Sequence, residues 1–134
     1  VRLGRKPDPS VPCSPEAPGF TSPPYATASA FCGERAKSAR LFTNSWKPYW
    51  LAPYGMTREY QAHGHGSYLT THGSLLQAAM LGLTGLRPTN GNWCKYPASL
   101  PDGWTAIEID RIMIGGTWKQ LVAEHGRVAR LTDV

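Results

Sequence analysis

The segment 67–86, "SYLTTHGSLLQAAMLGLTGL", most constrains what this chain can fold into. Its apolar residues recur at helical spacing, with Thr70 or Thr71 as the predicted N-cap. Gly82 or Gly85 is expected to end the helix. A helix that is apolar nearly all round is normally buried on most sides, and the rest of this chain offers little to bury it. We therefore expect partner helices outside these 134 residues. The apolar positions are Leu75, Leu76, Ala79, Met80 and Leu83.

A period of two follows from Trp104 onward, in "WTAIEIDRIMI". This period indicates a strand, and Gly115-Gly116 is a strong hairpin signal after it. His125-Gly126 is a weaker second turn, so we predict a three-stranded antiparallel meander. Three strands with an apolar face must pack on something, and we expect them to be the edge of a larger β-sandwich. The predicted alternation sets Ile107, Ile109 and Met113 against Glu108, Asp110 and Ile112.

The N-terminal part is irregular in composition. Residues 1–24 contain many prolines and no helical or strand period, which predicts an extended arm. The Ala-rich stretch 25–41 predicts a short helix, broken at Gly33. The aromatic segment 44–61, "NSWKPYWLAPYGMTREYQ", is predicted to be a loop.

The net charge of +5 reflects few acids rather than a basic patch, because Lys and Arg are scattered singly. Nucleic-acid binding is therefore disfavoured. No apolar run approaches 18 residues, so a membrane span is not expected.

Three cysteines stand at positions 13, 32 and 94, with spacings that fit no zinc motif. A disulfide between Cys13 and Cys32 could pin the proline-rich segment in an oxidising compartment, with Cys94 free, buried or bonded to another chain. This pattern favours a secreted protein. The absence of Met at the first position favours a mature or cleaved product, with simple trimming as the alternative.

Three segments in order resemble the C-terminal end of glycoside hydrolase family 65, which contains acid trehalases, kojibiose-type hydrolases and disaccharide phosphorylases. They are "NSWKPYW" to "REY", then "GSYLTTHGSLLQAAMLGLTGLR", then "ASLPDGWTAIEIDRIMIGGTWKQLVAEHGRVARLT". The resemblance implies an α+β fragment in which the end of an (α/α)6 barrel precedes antiparallel strands of a C-terminal β-sandwich. Residues 25–87 would end the barrel, 88–103 would connect, and 104–134 would form part of the sandwich.

The resemblance also implies an inverting α-glucoside hydrolase acting on a disaccharide or a short α-glucan, without a cofactor. Such hydrolysis uses a general acid and a general base, two carboxyl groups about 6.5–9.5 Å apart. Glu59 matches the family's base, although Met56 and Arg58 depart from its usual context. The general acid would lie in a larger N-terminal portion of the enzyme, so this chain alone is expected to be inactive. The alternative is that Glu59 is a solvated surface carboxylate without a catalytic role.

Aromatic side chains in the same segment could stack on sugar faces or fill the seam between barrel and sandwich. His72 could pack against the helix or bind the substrate by a hydrogen bond. The candidate substrate-binding residues are Trp46, Tyr49, Trp50, Tyr54, Thr71 and His72.

Two other functions remain open from the sequence. Hydroxyl groups at the start of the apolar helix could hold phosphate in a phosphorylase of the same family. They belong to Ser67, Thr70, Thr71 and Ser74. A non-catalytic secreted carbohydrate-binding module is the second alternative. His63, His65 and His72 do not form a plausible metal site, because no further ligand is suitably spaced.

Overall fold

The computed structural model describes residues 18–62, 66–87, 93–94 and 96–134. They form an α+β arrangement in which three α-helices precede a three-stranded antiparallel sheet, with a small two-stranded hairpin between the second and third helices. The α+β class expected from the sequence is therefore confirmed.

The predicted broken helix is confirmed as two helices, α1 (Ser22–Phe31) and α2 (Arg35–Asn44). Gly33 lies between them with φ of 75°, a conformation that side chains with a Cβ rarely adopt. The predicted arm was wrong at its end, because α1 begins at Ser22 rather than at Tyr25. The prolines at positions 23 and 24 are tolerated in the first helical turn, where the backbone N–H groups have no partner within the helix.

The aromatic segment, predicted as a loop, contains short regular elements. A 3₁₀ turn (Lys47–Tyr49) leads into β1 (Trp50–Leu51), which pairs with β2 (Met56–Thr57) in an antiparallel hairpin. Gly55, with φ of 68°, lies in the turn of this hairpin.

The apolar helix is α3 (Leu69–Gln77), continued by a π-helical turn (Ala78–Leu83). The predicted threonine cap was wrong: Tyr68 is the N-cap residue and no side chain caps the helix. Gly85, with φ of 73°, follows the end of the π-helical turn, as the sequence predicts for a C-terminal glycine.

The meander is confirmed as β3 (Ala106–Ile114), β4 (Thr117–Glu124) and β5 (Arg130–Asp133). The β3–β4 turn is Gly115-Gly116, and both residues have positive φ, 60° and 82°. Such a two-residue turn matches the twist of the strands that it joins.

The predicted alternation of side chains between the two faces of β3 was wrong beyond Ile109. Ile109 pairs with Leu121 and Ile112 with Lys119, so two residues of β3 oppose a single residue of β4. This β-bulge reverses the alternation. Ile112 consequently packs against the core, while Met113 is 51% exposed.

One hydrophobic cluster joins the helical and strand parts. The end of the π-helical turn and the segment before β3 pack on one face of the sheet. Among the described residues, none of the helices is long and apolar enough to cross a bilayer. The buried members of the cluster are Leu83, Leu86, Ala98, Leu100, Ile114, Leu121, Ala123 and Ala129.

One side of α3 remains uncovered by this cluster. Leu69 is 81% exposed and Leu76 is 62% exposed. The π-helical turn that follows is packed, since α1 contacts it and Leu83 is fully buried. The predicted burial of this helix on most sides is therefore not achieved by the described part of the chain.

Candidate functional site

Glu59 lies two residues after β2, on a segment whose backbone is held from two sides. The Arg58 N–H donates to the Tyr49 carbonyl at 2.9 Å, which continues the hairpin contact. The Gly19 N–H donates to the Glu59 carbonyl at 2.8 Å. The carboxyl group therefore extends from a main chain that is fixed on both sides, and the residue is partly buried. The Arg58 guanidinium donates to the Gln61 carbonyl at 3.0 Å.

Tyr68 lies beside Glu59 because its own backbone joins β2 to α3. The Tyr68 N–H donates to the Thr57 carbonyl at 3.3 Å, and the Tyr68 carbonyl accepts from the N–H groups of Thr71 and His72. The negative charge of Glu59 raises the pKa of Tyr68, with a smaller contribution from burial. The two side chains therefore interact electrostatically.

His72 occupies a small polar cluster on the other side of the same strand end. Its Nε2 lies 3.2 Å from Thr57 Oγ1 and 3.1 Å from Ser67 Oγ. Since hydroxyl groups can donate or accept, the cluster suits either tautomer of the ring. His72, on α3, is therefore tied by two hydroxyl contacts to the end of β2 and to the segment just before the helix.

Tyr49 and Thr71 are buried behind the site. Neither side chain has more than a trace of exposed surface, and a Cβ added to Gly19 would lie 3.1–3.2 Å from both. The two residues therefore pack around Gly19 and present no surface to a sugar. The Thr71 hydroxyl is buried and has no hydrogen-bond partner among the described residues.

The remaining aromatic candidates reach the surface of the hairpin. Trp50 is 50% exposed and Tyr54 is 82% exposed. Trp46 contacts Trp50 edge-on, with ring centroids 6.0 Å apart at 76°. The Trp50 ring also lies so close to Gly55 that an added Cβ would be 3.0 Å from it. The exposed Trp50 ring is therefore held in place by Trp46 and Gly55, whereas the Tyr54 ring is mostly surrounded by solvent.

The hydroxyl groups considered for phosphate do not converge on one point. Ser67 contacts His72, and Ser74 donates to the Thr71 carbonyl at 3.0 Å. Thr70 is exposed and Thr71 is buried. Their arrangement differs from a cradle of hydroxyls directed at a single anion.

Most other acids of the described chain pair with bases elsewhere. Glu34 pairs with Lys37, and Asp102 pairs with Arg35. Glu124 pairs with Arg127 and Arg130, and Asp133 pairs with Lys119. These pairs lie on or beside α2 and the sheet, away from Glu59.

The described residues contain no cluster of three or more potential metal ligands. His63 and His65 lie outside the described residues, as does Cys13 with its predicted disulfide. Cys32 is exposed and Cys94 partly buried, and both carry free thiols. Burial raises the pKa of the Cys94 thiol.

The sequence singled out Glu59, His72 and the hairpin aromatics as candidates, but not Tyr68 or Thr57, which the structure places next to them. A tyrosine directly before a helix, in a segment with a nearby acid, was the available signal for Tyr68. Thr57 carried no such signal, because its contact with His72 depends on the hairpin. In comparisons with known proteins, no family model matches the chain and no curated protein matches it.

Proposed function

We propose that this chain is the C-terminal part of a secreted inverting α-glucoside hydrolase, with Glu59 as the general base. In this proposal α3 is the last helix of an (α/α)6 barrel and the β3–β5 meander is part of a β-sandwich. The proposal rests on the ordered resemblance of the three segments to glycoside hydrolase family 65. The observation that supports it furthest is the location of Glu59 directly after β2, whose end is joined to the start of α3 by the hydrogen bond from the Tyr68 N–H to the Thr57 carbonyl.

A general base in an inverting hydrolase takes a proton from water. As the water oxygen bonds to the anomeric carbon, the glycosidic bond breaks and the leaving oxygen takes a proton from the general acid. Glu59 is suited to the first role because its main chain is held by hydrogen bonds at the Glu59 carbonyl and at the neighbouring Arg58 N–H. The general acid is proposed to lie in the N-terminal portion of the enzyme.

The hairpin is proposed to form one wall of the sugar site. Exposed, supported aromatic rings such as Trp50 suit the apolar face of a glucosyl ring, and Tyr54 and Trp46 extend that surface. His72 would bind a sugar hydroxyl from the polar side. Because Tyr49 and Thr71 are buried, their proposed contribution becomes support of this wall from behind.

Two uncovered apolar surfaces support a larger enzyme body. The first is the side of α3 that carries Leu69 and Leu76. The second is the outer face of the sheet, where Met113 and Trp118 pair across β3 and β4 and are each about half exposed. A barrel neighbour and a second sheet would cover them in the proposed arrangement.

The reaction class is tested with the complete enzyme and α-linked glucose disaccharides. Proton NMR during the first turnovers should show β-glucose as the initial product, and the rate should not depend on inorganic phosphate. Release of α-glucose would contradict inversion. A rate that requires phosphate, with a sugar phosphate as product, would instead establish the phosphorylase alternative.

The exposed aromatic hairpin also supports a second candidate, a non-catalytic carbohydrate-binding module. In that case Trp50 and Tyr54 would bind a glucan without any cleavage. Saturable binding of a maltooligosaccharide with no product in the NMR experiment would favour the module and refute the hydrolase.

A further inference from the structure

Asp102 and Gly103 form the exposed corner of the turn that leads into β3. The Trp104 N–H donates to the Pro101 carbonyl at 3.1 Å, and Gly103 has φ of 83° while Asp102 has no positive φ. This combination is typical of a type II turn, whose third position favours glycine. The Asp102 side chain is 93% exposed, and a Cβ added to Gly103 would meet nothing within 4 Å. The space around this dipeptide is therefore open.

We propose that Asp102 is a modification site, at which aspartate isomerises spontaneously to isoaspartate. The Gly103 backbone nitrogen attacks Cγ of the protonated Asp102 carboxyl group. As the new C–N bond forms, the carboxyl hydroxyl and the hydrogen on nitrogen leave as water, which gives a five-membered succinimide. Water then adds to the main-chain carbonyl carbon of Asp102 and breaks its bond to nitrogen, so the chain continues through Cβ and Cγ. The water that is released balances the water that is taken up, and no oxidant, metal or second protein takes part.

The residue after the aspartate governs this reaction, because its main-chain nitrogen is the nucleophile. Gly103 has no Cβ to obstruct ring closure, and its N–H has no acceptor among the described residues. The other aspartates of the sheet are also exposed but are followed by larger residues, Asp110 by Arg111 and Asp133 by Val134. Asp102 is therefore the aspartate of the described chain that is best suited to ring closure.

Arg35 restrains the reacting carboxyl group in the folded chain. Its Nη2 lies 3.3 Å from Asp102 Oδ1, while its Nε donates to the Leu100 carbonyl at 2.6 Å. Ring closure requires Asp102 to rotate toward the Gly103 nitrogen, so this ion pair and the hydrogen bond of the turn must first break. The rate of isomerisation should therefore follow the population of the opened turn, which Arg35 keeps low.

Isomerisation at Asp102 would disturb the contact between α2 and the entry to β3. Isoaspartate adds one carbon atom to the main chain between Pro101 and Trp104, so the hydrogen bond of the turn cannot keep its geometry. The Trp104 ring packs edge-on against Phe42 of α2, with ring centroids 6.0 Å apart at 83°. We expect the modified chain to lose this aromatic contact together with the Arg35 ion pair. None of these steps depends on Glu59.

Peptide mapping of the purified chain, aged at mildly acidic pH, tests the proposal. Electron-transfer fragmentation distinguishes isoaspartate from aspartate within a peptide. Isoaspartate should accumulate at Asp102 and not at Asp110 or Asp133, without a change in peptide mass. The unchanged mass separates this reaction from deamidation at Asn90, which precedes Gly91 and lies outside the described residues. Accumulation at Asp102 no faster than at Asp133 would overturn the proposal.

Variants that remain folded by circular dichroism test the chemistry and the restraint separately. Asp102→Glu should abolish the isomerised product at this position, because glutamate would have to close a less favourable six-membered ring. Arg35→Gln should raise the rate at Asp102 about 2–5-fold, the effect of losing one exposed ion pair. Arg111→Gln, at an exposed position of β3, is the matched control and should leave the rate unchanged. An unchanged rate in Arg35→Gln would refute the restraint by Arg35.

Discussion

Two glycines on the same apolar helix should respond to alanine in opposite directions. Gly73 lies on the exposed side of α3, where an added Cβ would meet nothing within 4 Å. Gly82 lies in the π-helical turn, where an added Cβ would be 2.8 Å from Thr27 Oγ1 and 2.9 Å from Thr27 Cα. The second contact involves backbone, so α1 cannot relieve it by turning a side chain.

The magnitudes follow from two opposing effects. Alanine gains about 0.5–1 kcal/mol over glycine inside a helix through its lower conformational entropy cost. Gly73→Ala should therefore raise the free energy of unfolding by that amount. At Gly82 the overpacking of a helix contact costs about 1–3 kcal/mol. Taking the middle of each range, Gly82→Ala should lower the free energy of unfolding by a net of about 1 kcal/mol.

Equilibrium urea unfolding of the purified chain, followed by circular dichroism at the helical band, measures both changes. With a slope of about 1–3 kcal/mol/M, the midpoint of Gly82→Ala should fall by roughly 0.3–1 M, and that of Gly73→Ala should rise. Equal shifts of the same sign in the two variants would refute the close packing of α1 on the π-helical turn.

Three further outcomes are expected. Leu121→Ala should lower the free energy of unfolding by about 2–5 kcal/mol in urea titration, because Leu121 is fully buried in the main cluster; a loss below 1 kcal/mol would contradict that burial. Leu76→Gln should destabilise the complete enzyme by about 1–3 kcal/mol if a barrel neighbour covers the position, whereas a change within about 0.5 kcal/mol would mean that nothing does. The fold raises the pKa of Tyr68, so the contribution of the protonated Tyr68 to stability should be complete below the unfolded pKa of about 10 and lost as pH rises through the folded pKa. Thermal melts from pH 8 to 11 measure this loss. A Tyr68→Phe variant that loses stability in parallel with the parent protein over this pH range would contradict the expectation.

The parts of the fold that were predicted depend on short-range rules. Gly115-Gly116 was readable as a hairpin because a two-residue turn with two positive φ values nearly requires glycine. Gly33 was readable as a helix break for the same conformational reason. Both features are set by the residues at the turn itself.

The parts that were missed depend on partners distant in the chain. The bulge after Ile109 arises from the register with β4, so the facing of Met113 could not be derived from β3 alone. Likewise, the burial of Tyr49 depends on Gly19 and Thr71, which no local pattern connects to it. The candidate site divides in the same way: Glu59 was proposed from the resemblance of its segment, whereas the proximity of Tyr68 to it depends on the contact between β2 and α3.

The role of Glu59 is tested most directly by the turnover of Glu59→Gln in the complete enzyme. The exposed Glu34, which pairs with Lys37 on α2, provides the matched control Glu34→Gln. We expect Glu59→Gln to lower kcat on an α-linked glucose disaccharide by about 10²–10⁴-fold, with folding intact by circular dichroism, while Glu34→Gln keeps normal turnover. A Glu59→Gln enzyme with near-normal kcat would contradict it.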